Sequence, residues 1–449
     1  MKYRPKYHFL PLKGWMNDPN GPIYYNECYH LFYQHNPNDD KWGDIHWGHA
    51  RSADLVHWEH LPIALAPSAQ NGEVHCFSGC VVLDGETPTL FYTSVGDGER
   101  NARVGAEQCM AISNDGMASF HKPECNPIIT KQIHNGVDIQ EWRDPFVYHM
   151  DGVWNMLLGG GIEGHGIIAR YTSGDLISWH YEGIFFNDRH YPFLECPNLL
   201  RFGKRAVLIY SAGDKAVCQV GRISENGVFI SESKGLLDGH SVFYAPNTLL
   251  NDPQGRYLTW GWLREEERGE LGLPGWRGVQ SLPRQLELDS EGRLLQRPAK
   301  ELEKLRGEKE QITRCTGSIN AKTRGNSLEI QMTASLNTED HILVNILEST
   351  DKRERTTIRF IAKTAELILE KGMTTLHNEP VKRIQNMTVP DFAGKLDLRI
   401  FIDVSVIEIF ANERAVMSGR VFPSLADSKG VSFSGAEYSA CIWQMKHIW

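Results

Sequence analysis

The sequence has no uninterrupted run of 18 or more apolar residues, so no segment suits a membrane-spanning helix. Its basic N-terminus, Met1-Lys2-Tyr3-Arg4-Pro5-Lys6-Tyr7-His8-Phe9, is not followed by the apolar stretch of a secretory signal. The expected location is the cytoplasm, with a secreted form that has lost its leader as the alternative. Paired cysteine motifs are also missing. The nine cysteines (Cys28, Cys76, Cys80, Cys109, Cys125, Cys196, Cys218, Cys315, Cys441) are odd in number and include no C-x-x-C. That argues against a disulfide framework or a zinc-thiolate site and predicts reduced, mostly packed thiols. A large charge excess is absent too: 47 basic against 56 acidic residues gives −9 and a pI near 6.1, which speaks against nucleic acid as a partner.

The composition is that of an ordered globular protein, with 41% hydrophobic, 10% aromatic and 23% charged residues. At roughly 150 residues per domain, 449 residues make about three domains, or two if one is a large β architecture. The 41 glycines and 12 tryptophans lean towards a turn-rich, aromatic-lined β protein.

A repeat runs along the first two thirds. A polar or proline-containing turn leads into an apolar β-like run, then a second turn, then a run rich in Tyr, Leu and Trp. The copies open at Asn17-Asp18-Pro19, Ser78-Gly79-Cys80, Arg143-Asp144-Pro145, Glu195-Cys196-Pro197 and Tyr244-Ala245-Pro246. Asp18 to Pro246 is 228 residues over four intervals, or 57 per copy on average. Between the copies, Ser52-Ala53-Asp54-Leu55-Val56-His57-Trp58 is echoed at Ser173-Gly174-Asp175-Leu176-Ile177-Ser178-Trp179, and more loosely at Ser113–Phe120, as an outer hairpin would be. Four short strands per unit and five units predict a five-bladed β-propeller over residues 1–297. Residues 298–310 read as a linker, with a short helix opened by Pro298 and closed by Gly307. Alternating runs such as Leu328–Met332, His341–Leu347 and Leu396–Asp403 then predict a β-sandwich over residues 311–449, with a structural role.

Three repeat openings carry an acid: Asp18, Asp144 and Glu195, each followed by proline within two residues. If each opening starts an innermost strand, acids 126 and 51 residues apart meet at one mouth of the propeller, in equivalent positions. Acids crowded there repel, so at least one holds its proton near neutrality. A carboxylate nucleophile beside a carboxylic-acid proton donor is the equipment of glycoside cleavage. Sugar sites add aromatic faces and neutral hydrogen-bonders. Asn17, Gln34, Trp42, Phe77, Ser78, Arg143 and Trp262 are the candidates, with Arg143 expected to hold its neighbour Asp144 ionised. His46 and His49 have ligand-like spacing but no acidic or thiolate company, and read as packing residues. No metal and no cofactor are expected.

Trp15-Met16-Asn17-Asp18-Pro19-Asn20-Gly21 resembles the signature of glycoside hydrolase family 32, the invertases, sucrose-6-phosphate hydrolases and fructanases. Arg143-Asp144-Pro145, Glu195-Cys196-Pro197, Phe77-Ser78-Gly79 and Tyr33-Gln34-His35-Asn36-Pro37 with Trp42-Gly43 match further blocks of that family in order. The likeness extends to Asp403-Val404-Ser405-Val406-Ile407-Glu408-Ile409-Phe410. It implies a propeller followed by a sandwich, with Asp18 as nucleophile, Glu195 as general acid/base and Asp144 holding fructosyl hydroxyls. The implied reaction is retaining release of terminal β-D-fructofuranosyl units from sucrose or a short fructoside, for which the Asp18 and Glu195 carboxyls should lie roughly 5–5.5 Å apart. A fructosyltransferase, an exo-fructanase acting on levan or inulin, and an inactive fructan-binding protein are the alternatives. The lack of a leader favours a small imported substrate, and the sandwich surface offers a place for self-association. Cys80 stands where many members have serine, which predicts an altered pocket shape.

Overall fold

The computed structural model describes residues 2–265, 275–377 and 383–449, and the described residues are nearly all β. Both runs of every repeat copy are strands. They form the first two strands of five successive antiparallel sheets, whose opening strands are Gly14–Tyr25, Glu73–Asp84, Gln140–Met150, Glu195–Phe202 and Phe243–Leu249. Each opening strand packs against the next, and the fifth packs against the first, so the five sheets close into a ring. A short strand, Trp276–Arg277, also pairs in parallel with Gly14-Trp15 and joins the fifth sheet's return segment to the first sheet.

The echoed motif is the turn between third and fourth strands. Ser52 and Ser173 accept N–H groups of Asp54 and Asp175, and the Trp58 and Trp179 indoles donate to the Leu55 and Leu176 carbonyls at 3.1 and 2.9 Å. Leu55, Met117 and Leu176 share a left-handed φ of 69°, 67° and 65°, so the looser copy has the same backbone. After it, the second sheet has two isolated bridges, Ile112–His121 and Gln108–Ile129, where the others have a fourth strand. Pro123 removes the next ladder donor there.

The linking segment differs from expectation. It is a 3-10 helix, Lys300–Leu305, and Gly307 lies inside the following strand, Arg306–Cys315, instead of ending a helix. Leu302 and Leu305 are both buried, a three-residue spacing that suits three residues per turn. The strand Arg306–Cys315 thus starts within the segment read as a linker.

The second unit has two six-stranded sheets. Leu328, Ile330, Met332, Ile400 and Ile402 of one face Val344, Ile346, Ile358, Phe360 and Leu367 of the other in a shared core. Each such buried side chain is worth about 1.5–3 kcal/mol. Alternation explains the sequence pattern on this face. Glu329 of the same strand is also fully buried, because Arg306 and Arg399 bind its carboxylate on the other face.

Candidate active site

Every opening strand breaks register near its start. Pairing skips between Met16 and Pro19, Cys76 and Gly79, Arg143 and Phe146, Glu195 and Asn198, and Tyr244 and Asn247. In each case two residues oppose one, a β-bulge, which re-aims side chains towards the ring's mouth. In three of them proline is the second bulge residue and needs no acceptor for an N–H. Asp144, Cys196 and Ala245 precede those prolines at φ of 65°, 47° and 48°.

The register corrects one expectation. The three acids do not occupy equivalent positions. Asp144 corresponds to Cys196 and Ala245, Glu195 corresponds to Arg143 and Tyr244, and Asp18 is the second residue of its bulge. They nonetheless converge, because the bulges face one mouth. The Cys196 thiol lies 3.4 Å from Asp144 Oδ2 and 3.8 Å from Asp18 Oδ2, and the Cys196 N–H donates to Asp144 Oδ2 at 3.0 Å. Glu195 is the adjacent residue.

Each acid has its own company. Ser78 donates to Asp18 Oδ2 at 2.6 Å and the Asn17 amide donates to Asp18 Oδ1 at 3.1 Å. The same amide donates to Gln34 Oε1, and Gln34 donates to Ser78, so the four side chains form one chain of bonds. Glu195 accepts Arg143 Nη2 on one carboxyl oxygen at 2.9 Å and the Tyr244 hydroxyl on the other at 2.5 Å. Burial pushes Asp18 up to about 6; Ser78 and Asn17 oppose the shift and Glu195 adds to it. Asp144 rises to about 7, mainly by burial, with Arg143 opposing and Glu195 and Asp18 adding. At least one acid thus keeps its proton near neutrality. Burial and the three carboxylates likewise hold the Cys196 thiol protonated.

Arg143 departs from its expected task. Its guanidinium hydrogen-bonds Glu195 and Glu141; its charge does favour the ionised form of Asp144, but burial outweighs it. The aromatic candidates line the rim. Trp42, half exposed, meets Phe77 edge-on at 6.1 Å and His75 at 4.9 Å. Trp262 packs against Trp15 at 5.7 Å, beside Cys196 and Tyr244. His49 stacks flat on Phe32 at 4.2 Å and bonds His30, as a packing residue does.

The sequence matches the glycosyl hydrolases family 32 N-terminal domain over residues 8–298 and the glycosyl hydrolases family 32 C-terminal domain over residues 301–446. The chain belongs to glycoside hydrolase family 32. It is 32% identical to a sucrose-6-phosphate hydrolase of Escherichia coli, over 99% of this chain and 95% of that protein. A levanase of Bacillus subtilis is 31% identical over 100% of this chain and 71% of that protein. Among solved structures, sucrose-6-phosphate hydrolase from Lactobacillus gasseri superposes with a TM-score of 0.88 at 26% identity, covering 100% of this chain and 94% of that one. A Bombyx mori GH32 beta-fructofuranosidase variant in complex with sucrose gives 0.83 at 29% identity, over 99% and 94% of the two chains.

Four residues at this family 32 site escaped the sequence reading. Tyr244 opens the fifth repeat copy and shares the X-X-Pro signal, but carries no acid to attract notice. Arg264 stacks over Tyr244 at 4.4 Å and over Trp262 at 5.9 Å. Gln280 fixes the Asn17 carbonyl at 2.7 Å, and Glu141 holds Arg143. None of the last three has a motif around it. Cys80 does not shape the pocket. Its sulfur accepts the Val147 N–H at 3.1 Å on the far side of the strand. There it lines a separate cavity of about 360 Å³ with Ile23, Phe146, Leu199 and Asn247.

Proposed function

We propose that this glycosidase is a retaining β-fructofuranosidase that releases terminal fructosyl units from sucrose or a related short fructoside. The ring of five sheets is read as a five-bladed propeller carrying the site, and the two six-stranded sheets from Arg306 onward as a β-sandwich. Nine cysteines without a disulfide among them suit a reducing cytoplasm.

The observation that carries the reading is the clustering of three carboxyl groups around the Cys196 sulfur and its neighbour Glu195, each with separate partners. Asp18, ionised above about 6, attacks the anomeric carbon. Ser78 and Asn17 occupy both its oxygens from one side and aim it. Glu195 gives its proton to the glycosidic oxygen as that bond breaks. It then takes a proton from the water that cleaves the fructosyl ester of Asp18, restoring both groups. Asp144, raised to about 7 and so present in both protonation states near neutrality, is suited to hold sugar hydroxyls by donating and accepting.

The test has two arms. Product analysis on sucrose, sucrose 6-phosphate, inulin, levan and a fructose disaccharide is expected to find free fructose from at least one of the short substrates. Asp18→Asn is expected to abolish that turnover with an unchanged melting curve. Glu195→Ala is expected to lose most activity and to regain part of it with azide on an activated fructoside. A normally active Asp18→Asn variant, or an inverted product, overturns the mechanism.

A further inference from the structure

Resting on this reading, one residue outside the family motifs stands in line with the acid/base group. Glu141 lies two residues before Arg143, at a left-handed φ of 52°. Its carboxylate Oε2 accepts Arg143 Nη1 at 2.5 Å and its main-chain carbonyl accepts the same nitrogen at 3.1 Å. The other arm of the guanidinium, Nη2, donates to Glu195 Oε1 at 2.9 Å. The strand is bulged there as well, since Gln140 pairs with Gly161 but Arg143 pairs with Gly159. A non-glycine residue in this backbone region costs on the order of 1–3 kcal/mol, so the turn that brings Glu141 back onto Arg143 is not free.

We propose that Glu141 is a positioning residue: it holds the Arg143 guanidinium in line with Glu195 and offsets part of its charge, so that Glu195 can carry the proton the first step requires. The problem it solves is electrostatic. Glu195 accepts hydrogen bonds on both oxygens, from Arg143 and Tyr244. A full, uncompensated guanidinium bonded to a carboxyl group favours its ionised form, which opposes proton donation. The groups facing this pair are Asp144, Asp18, Cys196, Tyr244 and Arg264. Burial and the nearby Glu195 carboxylate hold Tyr244 as the neutral phenol, so it cannot neutralise Arg143. Asp144, raised to about 7 by burial, is only partly ionised near neutrality and shares the task of offsetting the guanidinium. Glu141 is the half-exposed carboxylate bonded to the guanidinium from the solvent side.

The test is the pH dependence of kcat/KM for wild type and Glu141→Gln on whichever fructoside the wild type cleaves. The amide keeps the shape and removes the charge. The high-pH limb is expected to move down by about half a pH unit, the size of one charge acting through a largely solvated path. The melting temperature is expected to be unchanged, since an ion pair with a half-exposed partner is worth only about 0–1 kcal/mol. A ¹³C NMR titration of the labelled Glu195 carboxyl, with Glu195→Gln for assignment, reads the same shift without turnover. It also serves the Arg143→Ala background, where adding Glu141→Gln should have no further effect. Superimposable profiles and titrations, or an equal shift without Arg143, overturn the proposal. A wild type that cleaves no fructoside sinks the functional reading instead, and the titration still decides the role of Glu141.

Discussion

At the scale of single residues, the site works by withholding water from carboxyl groups. Asp144 is deeply buried and rises to about 7, although its ordinary value is near 3.8. The sign of its effect on stability follows. Below about pH 4 both folded and unfolded chains hold the proton, and Asp144 contributes nothing adverse. Between about 4 and 7 the unfolded chain loses its proton while the folded one retains it, so the stability it contributes is lost as pH rises. Asp144→Asn removes this titration and keeps a residue that tolerates φ of 65°. The variant is expected to be more stable than wild type at pH 8, by on the order of 2 kcal/mol, with no such gain at pH 4. Its activity should collapse at both. Urea unfolding at the two pH values checks this, and an equal effect at both would count against burial as the cause.

At the scale of elements, five bulges at the starts of five strands do what the acids alone cannot. They turn strand starts inward at one mouth and leave the rest of each strand for packing. The second strand of the third sheet, Val153–Ile162, comes close to the start of the Glu195 strand where it carries glycine. Gly159, the partner of Arg143, is the clearest case. A Cβ there would sit 2.2 Å from the Leu194 carbonyl oxygen and 3.1 Å from Glu195 Cα. Gly159→Ala is therefore expected to push the Glu195 strand outward. Overpacking of this kind costs about 1–3 kcal/mol, and turnover should fall further than stability does. Denaturation curves alongside kcat measure both, and a fully active, equally stable variant would show that the strands have slack.

At the scale of the whole molecule, a buried polar network joins the N-terminal segment, the fifth sheet and the second unit. Asp403 accepts the N–H groups of Lys6, Tyr7 and His8 at 2.7–2.9 Å, and the His8 ring bridges Asp403 and Glu408. Glu408 also binds fully buried Arg284, which reaches Asp238 and Ser418. The segment held this way runs straight into the strand that carries Asp18. This gives Asp403-Val404-Ser405 and Glu408 a task as a motif, holding the N-terminal segment: Ser405 fixes the Tyr3 carbonyl in the same way. Glu408→Gln leaves Arg284 and His8 under-compensated, and breaking a buried pair costs about 3–5 kcal/mol. Calorimetry is expected to show one unfolding transition in the wild type and a lowered or split one in the variant. Burial favours the neutral His8 ring, but Asp403 and Glu408 outweigh it and raise its pKa. The contribution of His8 is thus complete below about 6.5 and fades as pH rises through the higher folded value.

The sequence alone determined the repeat, its count, the strands in each copy and the identity of the three acids. All of these rest on short-range signals: alternation of period two, proline after a turn, and the order of the motif blocks. What it could not encode locally is which side of a strand a residue faces once one residue is bulged out. That is why the acids looked equivalent when they are not, why Cys80 was expected to alter the pocket, and why Arg143 was paired with its neighbour in sequence and not with Glu195. The short helix read between Pro298 and Gly307 is present but tighter and shorter than read, a 3-10 helix over Lys300–Leu305, because strand pairing takes over from Arg306 onward. Tyr244, Gln280 and the Asp403 network became visible only when closure of the ring brought distant segments within hydrogen-bonding distance. Bulge register and ring closure are long-range properties of the packed chain, and they, more than the motifs, decide which charges meet.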